Sequence, residues 1–193
     1  MKFADIIGKQ EVKDRLIHSV QEGRISHAQL FAGSEGGSGL PMALALACYI
    51  HCEQRSETDS CGECPSCIKY RKLVHPDLHF SYPVVTSATT KDRSPKSTDY
   101  LPQWRDAFLS NPYLDLNEWY ASMVVENKQG FMSVEESADI LRKMSLKSFE
   151  SKYKIQIIWL PEKMRVDASN KLLKIIEEPA DNTVFLMVTE HRE

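Results

Sequence analysis

Nowhere in this 193-residue sequence is there a run approaching the about eighteen uninterrupted apolar residues that a bilayer-spanning helix needs. A basic field is missing too. With 24 Lys and Arg against 27 Asp and Glu, the formal net charge is -3. A protein that grips nucleic acid unaided neutralises phosphates with clustered Lys and Arg, so any contact with DNA is expected to be made inside a larger assembly. The opening MKFADIIGKQEVKDR turns charged too early for a secretory signal, and the expected setting is the cytoplasm. No internal repeat and no low-complexity tract is present. One further absence decides the chemistry: no lysine occurs between Lys13 and Lys69.

What is present reads as strands alternating with helices. The spacing predicts a helix over Lys9 to Glu22, with Val12, Leu16 and Val20 on one face and Gly23 as its stop. Ala28 to Ala32 is a short apolar run suited to a buried strand. The glycine-rich GSEGGSG follows it, and then the apolar helix Leu40 to Ile50. Strand, glycine loop and buried helix form the opening of a nucleotide-binding βα unit. Further on, His79 to Val84 reads as a strand, 85 to 100 as a polar loop, and Leu101 to Leu109 and Leu116 to Val124 as helices. Trp104, Tyr113 and Trp119 are their apolar anchors. Ser133 and Glu136 have capping-box spacing ahead of another helix. Lys154 to Leu160 reads as a central strand, Asp167 to Glu178 as a helix closed by Pro179, and Thr183 to Thr189 as a strand. This alternation argues for a parallel, three-layer α/β sheet.

Four of the five cysteines crowd together: Cys52, Cys61, Cys64 and Cys67, separated by eight, two and two residues. Zinc takes four thiolates in a tetrahedron, and each C-x-x-C step lets neighbouring sulfurs face one ion. Free thiols in a loop are the bland alternative, and a redox C-x-x-C has no need of the outer pair. A structural Zn²⁺ on these four is therefore expected, in a small module over residues 52–72. Cys48 falls on the apolar helix, where a buried thiol is expected in preference to a fifth ligand. His51, His75 and His79 are lesser candidates.

The glycine loop lacks the chemistry its position promises. A working phosphate loop, G-x-x-x-x-G-K-[ST], cradles phosphate on backbone N–H groups, reaches the β/γ oxygens with lysine and holds Mg²⁺ with the hydroxyl. With Gly33 in first place, Gly39 falls at the lysine position and Leu40 at the hydroxyl position. Gly33, Gly36, Gly37 and Gly39 keep a backbone nest at which ATP or ADP would be held without any of those side chains. A tight glycine turn joining strand to helix accounts for them equally well and is the favoured reading. The acidic pair expected at the end of a later strand fails too. Ile155 to Ile158 runs into Trp159 and Leu160, and the nearest carboxylate, Glu162, lies beyond Pro161. No catalytic residue is assigned.

This order of motifs resembles the gamma/tau and delta-prime clamp-loader subunits of bacterial DNA polymerase III, members of the AAA+ class. The resemblance is carried by FADIIGKQEVKDRL, GRISHAQLFAG, the cysteine spacing with HPDLH after it, and SVEESADILRKMSLKSFESKYKIQIIWL. It is most specific in Asn170, Leu172, Leu173, Lys174, Glu177, Glu178 and Pro179 of N-x-L-L-K-x-x-E-E-P. It covers about residues 3 to 84 and 128 to 190, well over half of the chain on a domain scale. It implies a truncated AAA+ domain over 1–193 with the zinc module inside it. Residues 85–127, a loop and two helices, form an insertion longer than the family's usual connection. The missing lysine and acids resemble the delta-prime branch, whose members often do not hydrolyse ATP. Such a subunit works in a hetero-pentamer with gamma/tau and delta, which places the sliding clamp on primed DNA. Its Ser-Arg-Cys arginine, which acts on a neighbour's ATP, is expected beyond Glu193, as are the lid and collar domains. Two alternatives are an active gamma/tau-type ATPase, which the missing lysine opposes, and a zinc-ribbon nucleic-acid binder, which the acidic balance opposes.

Overall fold

A computed structural model describes residues 1–86, 94–123 and 129–191 of the chain. Among these residues the strands β1 (Ala28–Ala32), β2 (Leu78–Ser81), β3 (Lys154–Trp159) and β4 (Thr183–Thr189) form one four-stranded parallel sheet in the order β1-β4-β3-β2. Parallel strands need crossovers, and helices supply them. Helix α1 (Gln10–Gln21) precedes β1 and α2 (Gly39–His51) follows it. Helix α3 (Pro65–Arg71) lies in the cysteine segment, and α4 (Leu101–Ser110) and α5 (Leu116–Ser122) are the two helices of the segment expected to be an insertion. Helix α6 (Val134–Ser145) precedes β3, and α7 (Val166–Glu177) leads into β4.

The alternation of side chains along β3 and β4 divides the core in two. Ile155, Ile157, Trp159, Val184, Leu186 and Val188 face the α2 side, in the larger apolar cluster. Ile158 and Phe185 point the other way, towards Ile140 and Met144 of α6 and Leu172 of α7. A strand pair that is apolar on both faces has to be covered on both faces, which is the three-layer arrangement expected from the sequence. Leu40 to His51 of α2 are all buried, as a helix under such a sheet has to be.

Several details differ from expectation. The buried residues of α1 are Lys13, Ile17 and Val20, with Leu16 partly buried against the core, whereas Val12 is 41% exposed. The Lys13 ammonium reaches the Ile6 carbonyl at 2.6 Å, which lets its stem lie along the core. Gly23 does end the helix region, at φ +70° with its N–H on the Val20 carbonyl. Strand β2 is shorter than the expected His79 to Val84, with Val84 bridging separately to Phe131. The Ser133–Glu136 capping box is half formed. Ser133 Oγ accepts from the Glu136 N–H, but the Glu136 carboxylate turns inward to the Ser81 hydroxyl and the Ser97 amide. Helix α3 was not foreseen. Of the expected loop at 85–100, residues 87–93 lie outside the described residues, as do Val124 at the expected helix end, the insertion's end at 125–127, and Glu193.

The insertion is part of the core. Trp104 of α4 stacks on Tyr82 at 4.1 Å and meets Trp119 of α5 at 5.2 Å and Trp159 of β3 at 5.4 Å between ring centroids. All three indoles are buried. Tyr113, in the turn between the two helices, stays half-buried.

Candidate functional site

Two places carry the residues singled out in the sequence: the four cysteines and the glycine loop. The cysteine sulfurs converge. The Sγ atoms of Cys52, Cys61, Cys64 and Cys67 all lie within 4.8 Å of one another, with 3.5 Å between Cys52 and Cys61, 3.9 Å between Cys61 and Cys67, and 4.0 Å between Cys64 and Cys52. A tetrahedral ion with Zn–S bonds of about 2.3 Å sets its sulfurs close to 3.8 Å apart, so the spacing fits a single metal ion. Backbone amides point at the sulfurs as well. Cys61 N–H donates to Cys52 Sγ, and the N–H groups of Glu63 and Cys64 donate to Cys61 Sγ. These amides draw the Cys61 thiol down to about 6, while burial pushes Cys52 and Cys67 up to about 12. Four thiolates in such a place need a cation to balance them.

Cys48 lies 3.8 Å from Cys67 and 3.6 Å from the Ser60 hydroxyl, outside the four-sulfur group and buried on α2. His51 and His75 are engaged elsewhere. His51 pairs through its two ring nitrogens with the Tyr70 hydroxyl at 2.8 Å and the Tyr153 carbonyl at 2.9 Å. His75 Nε2 is 3.2 Å from Glu150. Asp77 accepts from the N–H groups of Phe149, Glu150 and Ser151. This buried network runs from α2 through α3 to the loop before β3. Cys52, Cys64 and Cys67 also belong to the main core cluster, so the cysteine segment packs onto the core.

The glycine loop connects β1 to α2 as a tight turn. Gly37 N–H donates to the Ser34 carbonyl at 3.0 Å, and Gly36 adopts φ +62°. A Cβ at Gly37 would come within 2.7 Å of the Ser34 carbonyl oxygen, so the turn itself requires glycine there. At Gly39 a Cβ would meet Val188 Cγ1 at 2.9 Å. Above the loop, Leu40, Leu114, Trp159 and Val188 close in until a volume of about 10 Å³ is left. Glu162 does not reach into this space as a free acid: its carboxylate accepts from the Thr189 hydroxyl at 3.0 Å and the Glu190 N–H at 3.2 Å. Burial raises Glu190 to about 6, with the negative charges of Glu35, Glu162 and Asp115 adding to the effect. On its Trp159 side the turn is narrow and rimmed by carboxylates. On its other side α1, β1 and the loop itself leave an open cavity of about 500 Å³, walled by Val12, Leu16, Leu30, Phe31 and Met42 and by Gly33, Gly37 and Gly39.

A glycine-rich turn between the first strand of a parallel sheet and a buried helix makes this an α/β protein whose architecture is consistent with a P-loop-like fold. Within that class, residues 8–193 match the family described as "DNA polymerase III, delta subunit", and the chain belongs to this clamp-loader family. It is 26% identical over 175 residues to the delta' subunit of DNA polymerase III from Bacillus subtilis, covering 91% of this chain and 40% of that protein. It is 25% identical over 187 residues to the tau subunit from Escherichia coli, covering 97% of this chain and 22% of that protein. It is 23% identical over 192 residues to the gamma/tau subunit from Mycobacterium tuberculosis, covering 99% of this chain and 26% of that protein. The chain thus spans well under half the length of these relatives.

Proposed function

We propose that this chain belongs to a delta-prime-type, non-hydrolysing subunit of a bacterial DNA polymerase III clamp loader. In this reading it works in the cytoplasm, in a hetero-pentamer with gamma/tau and delta subunits that places the sliding clamp on primed DNA. The observation that carries the reading is the glycine loop without its reactive side chains. Gly39 and Leu40 stand where lysine and hydroxyl belong, Trp159 and Leu160 stand where the acids belong, and on that side of the loop Leu114, Trp159 and Val188 leave a space of about 10 Å³. Phosphoryl transfer depends on positioned cations and on a group that orients the nucleophile, and this turn offers neither. An ATPase of the gamma/tau type needs all of them.

A structural zinc on Cys52, Cys61, Cys64 and Cys67 completes the reading. Four thiolates fill a tetrahedron and leave no position for water, so the ion's contribution is cohesion.

The test is reconstitution of the full-length protein with the gamma/tau and delta subunits of the same organism. Clamp loading on primed DNA should require this subunit, while the subunit alone should release no phosphate from ATP. Loading that proceeds equally well without it, or steady hydrolysis by it alone, would overturn the assignment.

A further inference from the structure

We infer that the turn Asn111–Asp115, which joins the two inserted helices, is an internal stopper for the former phosphate cradle: Leu114 fills the space a phosphate group would take. Leu114 is 4% exposed, and it is the insertion's side chain among the residues that line the closed space with Gly33, Gly36, Gly37 and Gly39. About 10 Å³ is left in this space. The backbone follows the side chain in. The Tyr113 carbonyl oxygen lies 3.4 Å from where a Cβ on Gly36 would stand. The absent side chain that lets an anion approach a phosphate loop here lets a carbonyl approach it.

The turn is built to hold that shape. Tyr113 N–H donates to Asn111 Oδ1 at 3.1 Å, and Leu114 N–H to the Asn111 carbonyl at 3.1 Å. Asp115 caps α5 by accepting from Glu118 N–H at 2.8 Å, and its own N–H donates to the Glu118 carboxylate at 3.0 Å. Asn111 Nδ2 donates to the same carboxylate. The Tyr113 hydroxyl accepts from Ile7 N–H at 3.0 Å, tying the turn to the N-terminal segment. Behind it, Trp104 and Trp119 anchor both helices against Trp159. These bonds fix the backbone of the turn, and with it the position of the Leu114 Cα beside the loop.

The inference rests on the reading of residues 33–39 as a former phosphate loop. Its test, a thermal shift with inorganic pyrophosphate and Mg²⁺, is blind to whether the protein joins a clamp loader. In the full-length protein, wild type and Leu114→Met should show no shift. Leu114→Gly should melt several degrees lower and regain several degrees with pyrophosphate, because ligand that binds only the native state stabilises it by mass action. If Leu114→Gly does not fold, Leu114→Ala is read the same way. A shift in wild type would mean that the cradle is open. A destabilised Leu114 variant with no shift would mean that something other than the stopper excludes phosphate. Either result overturns the inference.

Discussion

Trp159 shows how far single residues carried the reading and where they stopped. Its identity alone leaves no acid at the end of β3, and with Gly39 and Leu40 it was legible in the sequence as a departure from the phosphate-loop pattern. Its contacts were not legible, because Trp104 and Leu114 arrive from an insertion with no motif to place it. Glu162 is similar: its distance from the strand was visible, its engagement with Thr189 and Glu190 was not. Glu190 itself gave no signal, since a carboxylate that ends a strand has no pattern. It now supports a prediction. Its folded pKa is raised from 4.5 to about 6, so its contribution to stability is fully present below pH 4.5 and is lost as pH rises through about 6. Glu190→Gln mimics the protonated form. It should match wild type in thermal unfolding near pH 4 and exceed it at pH 7.5, by on the order of 1 kcal/mol at most for a group so partly screened by solvent. Equal melting curves at both pH values would remove Glu190 from the acidic rim.

Elements were most legible where one force decided them. Helix α2 was readable because it is apolar all round, and β3 and β4 because their apolar runs admit no exposed face. In helix α1 the burial of Lys13 was not legible, because a lysine stem packs like an apolar side chain once its ammonium finds a carbonyl. Helix α3 was missed because a seven-residue helix between cysteines has too few turns to show a period. The four-sulfur group was legible from spacing, but its attachment through Tyr70, His51 and Asp77 was not. That attachment alters what metal removal should do. Protein purified without added zinc should carry about one equivalent. Cys48→Ser should keep it, since that sulfur lies outside the four, and Cys64→Ser should lose it. In hydrogen exchange, Cys64→Ser should loosen residues 52–72 together with the 149–151 loop, while β3 and β4 stay protected. A metal content near zero, with all four thiols alkylated in the native state, would refute the zinc centre. Loss of protection throughout the sheet would make the module a condition of folding.

At the scale of the whole molecule, one side of the glycine loop packs against the core. The sheet, α2 and the inserted helices share one apolar cluster that includes Leu40, Trp104, Leu114, Trp119 and Trp159, so restoring nucleotide chemistry means rebuilding the core and not only the loop. Gly39→Lys with Leu40→Thr would supply the missing cation and hydroxyl. The new Cβ at residue 39 would meet Val188 at 2.9 Å, and threonine would set a hydroxyl among Trp159, Leu114 and Val188. Burying an unpaired hydroxyl and forcing a close contact each cost roughly 1–3 kcal/mol. The double variant should therefore melt well below wild type and release no phosphate from ATP. Adding Trp159→Asp and Leu160→Glu should not recover turnover, because it removes an indole from the aromatic cluster and places two acids where the rim is already negative. Steady-state phosphate release and thermal unfolding of the two variants, measured side by side, read both effects. Clear turnover by the simple double variant would mean that Glu162 can leave Thr189 and serve as the missing acid, and that the closed loop is a resting state of a working site.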